Sequence, residues 1–422
     1  MSAREVARRV LDRVEKGGAW ATLALDAELS RSGLDERDRR LASELVYGVL
    51  RHRARIDHAL AAHADLARTP PKIVTVLRVA AHQLLFLDRV PAYAAVDDAV
   101  QAARGVGGQK LSGFTNAVLR KITKTGAPPL PTELRARIEI EHSLPRWIVD
   151  ELAQTVDAEQ LPVIAAAFAQ PPALVARVNL RKTTRDALAA ELVEQGVTAT
   201  PVERVPTALV LDGAGDPGKI ASFLAGRWTI QDTGAQLVGQ LAAPAAGMRI
   251  LDACAGVGGK ATHLAELADC AIDAADQSKT KLELCMQTAL RLGLGGITPR
   301  VCDLTDPKAQ LADAYDLIIL DAPCSGLGVL RRHPDAKWRL PPDTVPRLAK
   351  LQQQLLDGVV ARLAPGGTLV YSVCTFTRAE GPAQIAALVA RSGLELVSEE
   401  RTWPPEADAF YIARLVKPRA TT

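Results

Sequence analysis

Residues 316–328 read DLIILDAPCSGLG, an unbroken apolar run that ends on a carboxylate and then a proline-cysteine-serine-glycine turn. Residues 317–320 show no polar alternation. A strand with one wet face must alternate, so this run suits the middle of a parallel sheet covered on both faces. Ligands of such sheets bind beyond the carboxyl ends of the strands, which delivers Asp321 and Cys324 to a crevice. A second run, GTLVYSVC, ends on Cys374 and brings another thiol to the same edge.

The stretch that starts near Met248 repeats the pattern. In MRILDACAGVGGKATHLAEL, Ile250 and Leu251 close a strand, Gly256, Gly258 and Gly259 form a turn, and Lys260 opens a helix. Glycines there let a ligand approach the backbone, and the helix N-terminus offers unpaired N–H groups. The turn has neither the Gly-x-Gly-x-x-Gly of a dinucleotide site nor the Gly-Lys-Ser/Thr of a P-loop. CAIDAAD ends on Asp276, roughly twenty residues past the turn, where a carboxylate can accept both ribose hydroxyls of a nucleoside. ITPRVCD ends on Asp303 and YDLIILD on Asp321. An acid at a strand end adds nothing to a core, so this succession marks a binding edge. With GGTLVYSVC, LELV and FYIARLV the sheet reaches about seven strands, interleaved with helices such as residues 344–367, which Gly366-Gly367 should close.

Residues 3–123 carry a different period. VARRVLDRV, RRLASELVYGVLRHRARIDHAL, KIVTVLRVAAHQLLFL, AVDDAVQAA and FTNAVLRKI place apolar residues three and four apart, which predicts helix throughout. Breaks are expected at Gly17-Gly18, Gly33, Pro70-Pro71, Pro91 and residues 105–108. Residues 124–133, KTGAPPLPTE, read as a linker. From 134 to 240 helix and strand mix: SLPRWIVDELAQTV and DALAAELVEQG are helical, and ALVARVNL, ALVLDG and RWTIQDT are strand-like. Arg177, Asn179 and Arg181 alternate with apolar neighbours and should line one polar face. The domains expected are a helical bundle over 1–125, a small α+β domain over 134–240, and an α/β domain over 241–422.

Composition narrows the function. The net charge of +3 hides an asymmetry: residues 1–125 hold 21 basic against 14 acidic residues, net +7, and the remainder is net −4. Basic residues gather at Arg37, Arg39, Arg40, Arg51, Arg53 and Arg55, and again at Lys110, Arg120, Lys121 and Lys124. That is compatible with nucleic acid and with an ordinary solvated face. No apolar run is long enough to span a bilayer, and the N-terminus reads as a charged amphipathic helix, so the protein is expected to be cytoplasmic. The six cysteines are absent from the first 253 residues and never approach a Cys-x2-Cys spacing. Reduced thiols and no metal site are expected, with Cys270, Cys285 and Cys302 serving as small hydrophobes.

DACAGVGGK, DAPCSGLGVLRRHPDAKW and YSVCTFTRAEG together resemble the S-adenosylmethionine-dependent RNA 5-methylcytosine methyltransferases. ASELVYGVLRHR, PAYAAVDDAVQAA and FTNAVLRKI resemble the transcription antitermination factor NusB, an RNA-binding helical fold. The resemblance covers nearly the whole chain. It implies a NusB-like bundle, a small α+β domain and a Rossmann-like seven-stranded methyltransferase domain, acting as a monomer on RNA, with small-subunit ribosomal RNA as substrate. It also implies Cys374 as nucleophile toward C6 of cytosine, Cys324 as the thiol that assists breakdown of the adduct, and Asp321 and Lys260 beside them. For S-adenosylmethionine it implies Cys254, Ala255, Gly256, Val257, Gly258, Gly259 and Lys260 at the methionine end, Asp276 at the ribose, Asp303 near the adenine and Asp321 near the methyl. Arg331, Arg332, His333 and Lys337 are candidates for gripping RNA phosphates, with Trp338 for packing or stacking. The turn departs from the Ala-Ala-Pro-Gly-Gly-Lys common in that family, and Glu380-Gly381 stands where Glu-Asn is usual.

Overall fold

The computed structural model describes residues 1–306 and 308–419. They form two compact units. One comprises Met1–Pro171 together with the returning segment Leu330–Pro341, and the other comprises Pro172–Val329 and the chain from Pro342 onward.

The first unit is helical, as the 3.6-residue period predicts. Its helices are α1 (Ala3–Gly17), α2 (Ala21–Ser32), α3 (Glu36–Arg51), α4 (Arg53–Ala61), α5 (Pro71–Phe86) and α6 (Ala92–Thr125), followed by α7 (Leu134–Glu141), α8 (Arg146–Ala153) and α9 (Gln160–Phe168). The breaks fall at the expected residues and at one more, His52, which divides α3 from α4 within a run expected to be a single helix. Gly18 and Gly33 cap α1 and α2 in the left-handed region, Pro71 opens α5, and Gly107 and Gly108 interrupt α6. A buried core of Val6, Val10, Leu45, Val49, Leu77, Val118 and Leu119 lies between the helices.

The returning segment supplies this bundle with caps that its own sequence lacks. Trp20, which precedes α2, makes no side-chain cap. Instead Asp335 Oδ2 accepts a hydrogen bond from Ala21 N–H at 3.0 Å. At the other end of a helix, carbonyls of the last turn are left unpaired. Those of α3 receive Trp338 Nε1 on Leu50 O at 2.7 Å and Lys337 Nζ on Arg51 O at 2.8 Å. Asp335, Lys337 and Arg331 are all nearly inaccessible, at 1, 2 and 3 % exposure. Burial first, and the charge of Arg51 second, holds the Lys337 ammonium well below its ordinary pKa. The expectation that Lys337 and Arg331 grip RNA phosphates is therefore corrected: both are interior. Trp338 packs against the bundle core, Arg332 is half-buried, and His333 is exposed.

The basic cluster of α3 and α4 is partly absorbed in the same way. Arg51 is buried, and Arg53 lies 3.7 Å from Glu15 and 3.8 Å from Asp57. Lys110, Arg120, Lys121 and Lys124 are exposed.

The second unit holds two sheets. The smaller has the order β2-β3-β1-β4, from β1 (Leu174–Val178), β2 (Thr198–Pro201), β3 (Ala208–Asp212) and β4 (Trp228–Ile230), all antiparallel. Strand β2 carries too little apolar pattern to be read from sequence. The polar face expected of Arg177 and Asn179 is overturned, since both are wholly buried. Each finds internal partners, as a buried polar group must. Asn179 Nδ2 donates to Gly226 O and Leu292 O, and Arg177 spends its donors on Glu266, Gln231, Gly259 O and Thr262.

The larger sheet has seven strands in the order β10-β11-β9-β8-β5-β6-β7. They are β5 (Arg249–Asp252), β6 (Ala271–Asp276), β7 (Ile297–Val301), β8 (Tyr315–Asp321), β9 (Leu363–Val373), β10 (Glu395–Arg401) and β11 (Tyr411–Val416). Strands β5 to β9 run parallel and β10 and β11 antiparallel. Strand β8 is central, and its unbroken apolar run has the expected cause. Leu317 and Ile319 pack with Ile250 and Val370 on one face, while Ile318 and Leu320 pack with Leu251 and Tyr371 on the other. Gly366-Gly367 does not close the preceding helix as expected. That helix is Thr344–Val360, and the glycines lie inside β9, where the register against β8 shifts.

Candidate active site

Parallel pairing of β5, β6, β8 and β9 brings their carboxyl ends to one edge, and the predicted residues arrive there with them. Asp252 ends β5, Asp276 ends β6, Asp321 ends β8, and Cys374 follows β9 directly. Asp303 comes two residues after β7 ends, is exposed, and accepts from Thr305 N–H at 2.8 Å and Thr305 Oγ1 at 2.6 Å. Those bonds, the hydroxyl's first, hold its carboxyl below the ordinary value.

The glycine turn runs as expected into the helix Gly259–Leu267. Gly258 has φ +84°, and a Cβ there would meet Cys285 Sγ at 2.2 Å, so only glycine fits. Asp276 ties the turn to β6, its Oδ2 accepting from Gly256 N–H at 3.0 Å and its Oδ1 from Ser278 N–H at 2.8 Å. Beside it lies a cavity of about 180 Å³ lined by Cys254, Asp276, Gln277, Lys281, Cys302, Leu304, Pro323, Leu351 and Leu355. Sequence reasoning named Cys254 and Asp276 but missed the apolar wall, whose leucines come from the loop after β7 and from a helix with an ordinary amphipathic pattern. Cys302 packs as the small hydrophobe expected of it and forms part of this wall.

Lys260 points from its helix to the end of β8, where its Nζ donates to Asp321 Oδ2 at 2.5 Å. Burial pulls the ammonium down, but Asp321 outweighs it and leaves the Lys260 pKa raised. The other Asp321 oxygen accepts from Ser372 Oγ at 2.8 Å. Asp252 is the residue the sequence reading passed over. It is wholly buried, and among the described residues neither carboxylate oxygen has a well-formed hydrogen bond. Burial, against the charge of Lys260, pushes it up to about 7.

The two thiols meet. Cys324 Sγ and Cys374 Sγ are 3.4 Å apart, within hydrogen-bond reach for sulfur. Close packing enforces this: Gly328 N–H donates to Cys374 O at 3.0 Å, and a Cβ on Gly328 would strike Ala409 O at 1.9 Å. The hydrogen bond with Cys374, then burial, then the charges of Cys374, Glu380 and Asp321 hold the Cys324 thiol well above its ordinary pKa. Either sulfur can be the donor of this contact. Hydrogen bonding to a sulfur favours its anionic form. Among the described residues no group of three or more His, Cys, Asp or Glu is placed to hold a metal, and no helix is long and apolar enough to cross a membrane.

The chain is similar to known proteins. Residues 240–416 match a family described as 16S rRNA methyltransferase RsmB/F, residues 1–124 match the NusB family, and residues 144–216 match a ferredoxin-like domain of RsmF/B-like methyltransferases. A probable ribosomal RNA small subunit methyltransferase B of Synechocystis is 36% identical, with 91% of this chain and 88% of that protein covered. Ribosomal RNA small subunit methyltransferase B of Pseudomonas putida is 34% identical, with 99% of each covered. Among solved structures PH0851 has the same fold, with a TM-score of 0.81 at 23% identity over 98% of this chain and 99% of that one.

Proposed function

The chain belongs to the RsmB/F family of 16S rRNA methyltransferases, and on that footing we propose that it methylates C5 of a cytosine in small-subunit ribosomal RNA through a covalent adduct of Cys374. The observation that carries the reading is the 3.4 Å approach of Cys324 to Cys374 at strand ends shared with the Lys260–Asp321 pair.

S-adenosylmethionine supplies an electrophilic methyl group when bound. The residues present fit it. Asp276 keeps acceptor capacity for ribose hydroxyls after its two backbone bonds, the leucine-lined cavity suits an adenine, and the glycine turn leaves room for the methionine end. Asp303 stands near the adenine end, and Asp321 joins the cofactor pocket to the base pocket.

C5 of cytosine is a poor nucleophile until C6 is attacked. Cys374, with Cys324 at 3.4 Å, attacks as the thiolate, forms the S–C6 bond and makes C5 enamine-like. Lys260 and Asp321 hold fixed charge beside the ring as its electron density shifts. Release then breaks the C5–H and C6–S bonds and forms the C5=C6 bond, with the C6–S electron pair returning to Cys374. The proton goes to Cys324. Its high pKa in the free enzyme comes first from Cys374. Alkylation of that sulfur removes this cause, while burial and the charges of Glu380 and Asp321 remain, so Cys324 must first give up its own proton to act as the base. The target base must leave its stack to reach this site, at a cost of a few kcal/mol. The exposed Lys110, Arg120, Lys121 and Lys124 offer phosphate contacts on the helical unit.

Each thiol is tested separately with small-subunit RNA and S-adenosylmethionine. Cys324→Ala should trap a denaturation-resistant protein–RNA adduct, and Cys374→Ala should form none. Adducts that persist in Cys374→Ala would reassign the nucleophile. A 5-methylcytosine map of small-subunit RNA that is unchanged when the protein is absent would reject the substrate.

A further inference from the structure

Glu380 follows Cys374 by six residues and is wholly buried, as are Thr375, Thr377 and Gln352 around it. A buried carboxylate is costly unless its lone pairs are satisfied. Here all its neighbours donate. Glu380 Oε1 accepts from Ser325 N–H at 2.8 Å and Gln352 Nε2 at 3.1 Å, and Oε2 accepts from Ser325 Oγ at 2.5 Å and Thr377 Oγ1 at 2.9 Å. These bonds converge on the residue next to Cys324. Gln352 Nε2 also donates to Pro323 O at 2.9 Å, so both neighbours of Cys324 are held through one carboxylate and one amide. On the other side Ser325 Oγ lies 2.9 Å from Thr375 Oγ1, beside Cys374.

We propose that Glu380 is a positioning residue for the release half of the reaction: it clamps the Pro323–Ser325 turn to the strand end that carries Cys374 and so sets Cys324 against the adduct. This rests on the two-thiol reading above. A carboxylate suits the task because it only accepts, and it offers about four sites for four donors. An amide would turn one pair of donors into a mismatch. Attack on C6 needs Cys374 alone, whereas release needs the second sulfur in register, so loosening the clamp should harm the second step more than the first.

The test uses the full chain with small-subunit RNA and S-adenosylmethionine, comparing Glu380→Gln, Ser325→Ala and Cys324→Ala. Glu380→Gln should lower kcat about 10- to 100-fold, the range for a small misplacement of a reacting group. KM for RNA should fall along with kcat so that kcat/KM stays within about twofold, because the steps up to adduct formation and methyl transfer are left intact. Adduct should accumulate as in Cys324→Ala. Ser325→Ala keeps the backbone N–H and removes only the hydroxyl, so it should show a smaller effect in the same direction, and it remains informative if the Gln variant folds poorly. Adduct formation and turnover that fall in parallel in both folded variants would reduce Glu380 to a structural role and overturn the proposal. If Cys324→Ala accumulates adduct and the Glu380 and Ser325 variants do not, the positioning role alone fails. If Cys324→Ala accumulates none, the two-thiol reading fails and takes the proposal with it.

Discussion

Residues 316–329 and 330–341 adjoin in sequence and belong to the same motif, yet they have opposite fates. The first stretch builds the site: β8 is driven into the sheet by four buried aliphatic side chains and leaves Asp321 and Cys324 beyond its end. The second, LRRHPDAKWRLP, has the charge and aromatic content of a nucleic-acid strap and is instead the capping piece of the helical unit. Charge in a sequence reports chemistry, not exposure. A lysine is buried when unpaired helix carbonyls offer it an acceptor that solvent would otherwise have to satisfy.

That contrast can be broken by mutation, and the largest effect belongs to Trp338. Trp338→Ala should cost about 3 kcal/mol of stability, the low end for a tryptophan because the residue is only partly buried, read by denaturant unfolding of the full chain. A loss of RNA affinity without destabilisation would return it to a stacking role. Asp321→Asn, on the other side of the divide, should lower kcat/KM about 100-fold, since it removes charge beside the ring, and should also lower the melting temperature, since the largely buried Lys260 ammonium loses its counter-charge. Lys337→Met should change stability by less than about 2 kcal/mol, because a buried amine is replaced by an apolar chain of similar length. It should also leave the salt slope of RNA binding unchanged. A phosphate contact would instead lower that slope by about 1.

A further test is a pH dependence at Asp252. Its folded-state value of about 7 lies above its ordinary 3.8. Between these values the native state keeps a proton that the unfolded chain has lost. The resulting stabilisation is complete at about pH 4 and lost as pH rises through about 7. Asp252→Asn should flatten that part of the stability–pH curve, and an unchanged curve would show that the carboxyl titrates normally.

Much of the site was legible because it is written in local pattern. Acids at the ends of apolar runs gave Asp276 and Asp321, and the two thiols followed from the same rule applied to β8 and β9. Asp303 was placed at a strand end and lies two residues beyond it, in a turn closed by Thr305. What could not be read was set by partners far away in sequence. Arg177 pairs with Glu266 across 89 residues, and Ser325 with Glu380 across 55. Nothing in the alternation around Arg177 distinguishes a solvent-facing arginine from one whose donors all end inside.

The sequence by itself determined the helices of residues 3–125 with their breaks at Gly18, Gly33, Pro71 and Gly107-Gly108, the central place of β8, and the edge at which its acids and thiols gather. Each depends on residues within a turn or a strand of one another, where steric preference and hydrophobic period act directly. Tertiary structure decided which charges are interior, that residues 330–341 cap helices begun some three hundred residues earlier, and that Glu380 locks the turn beside Cys324. Those outcomes depend on which unpaired polar groups a distant segment can reach, and burial makes them strong because no water competes there.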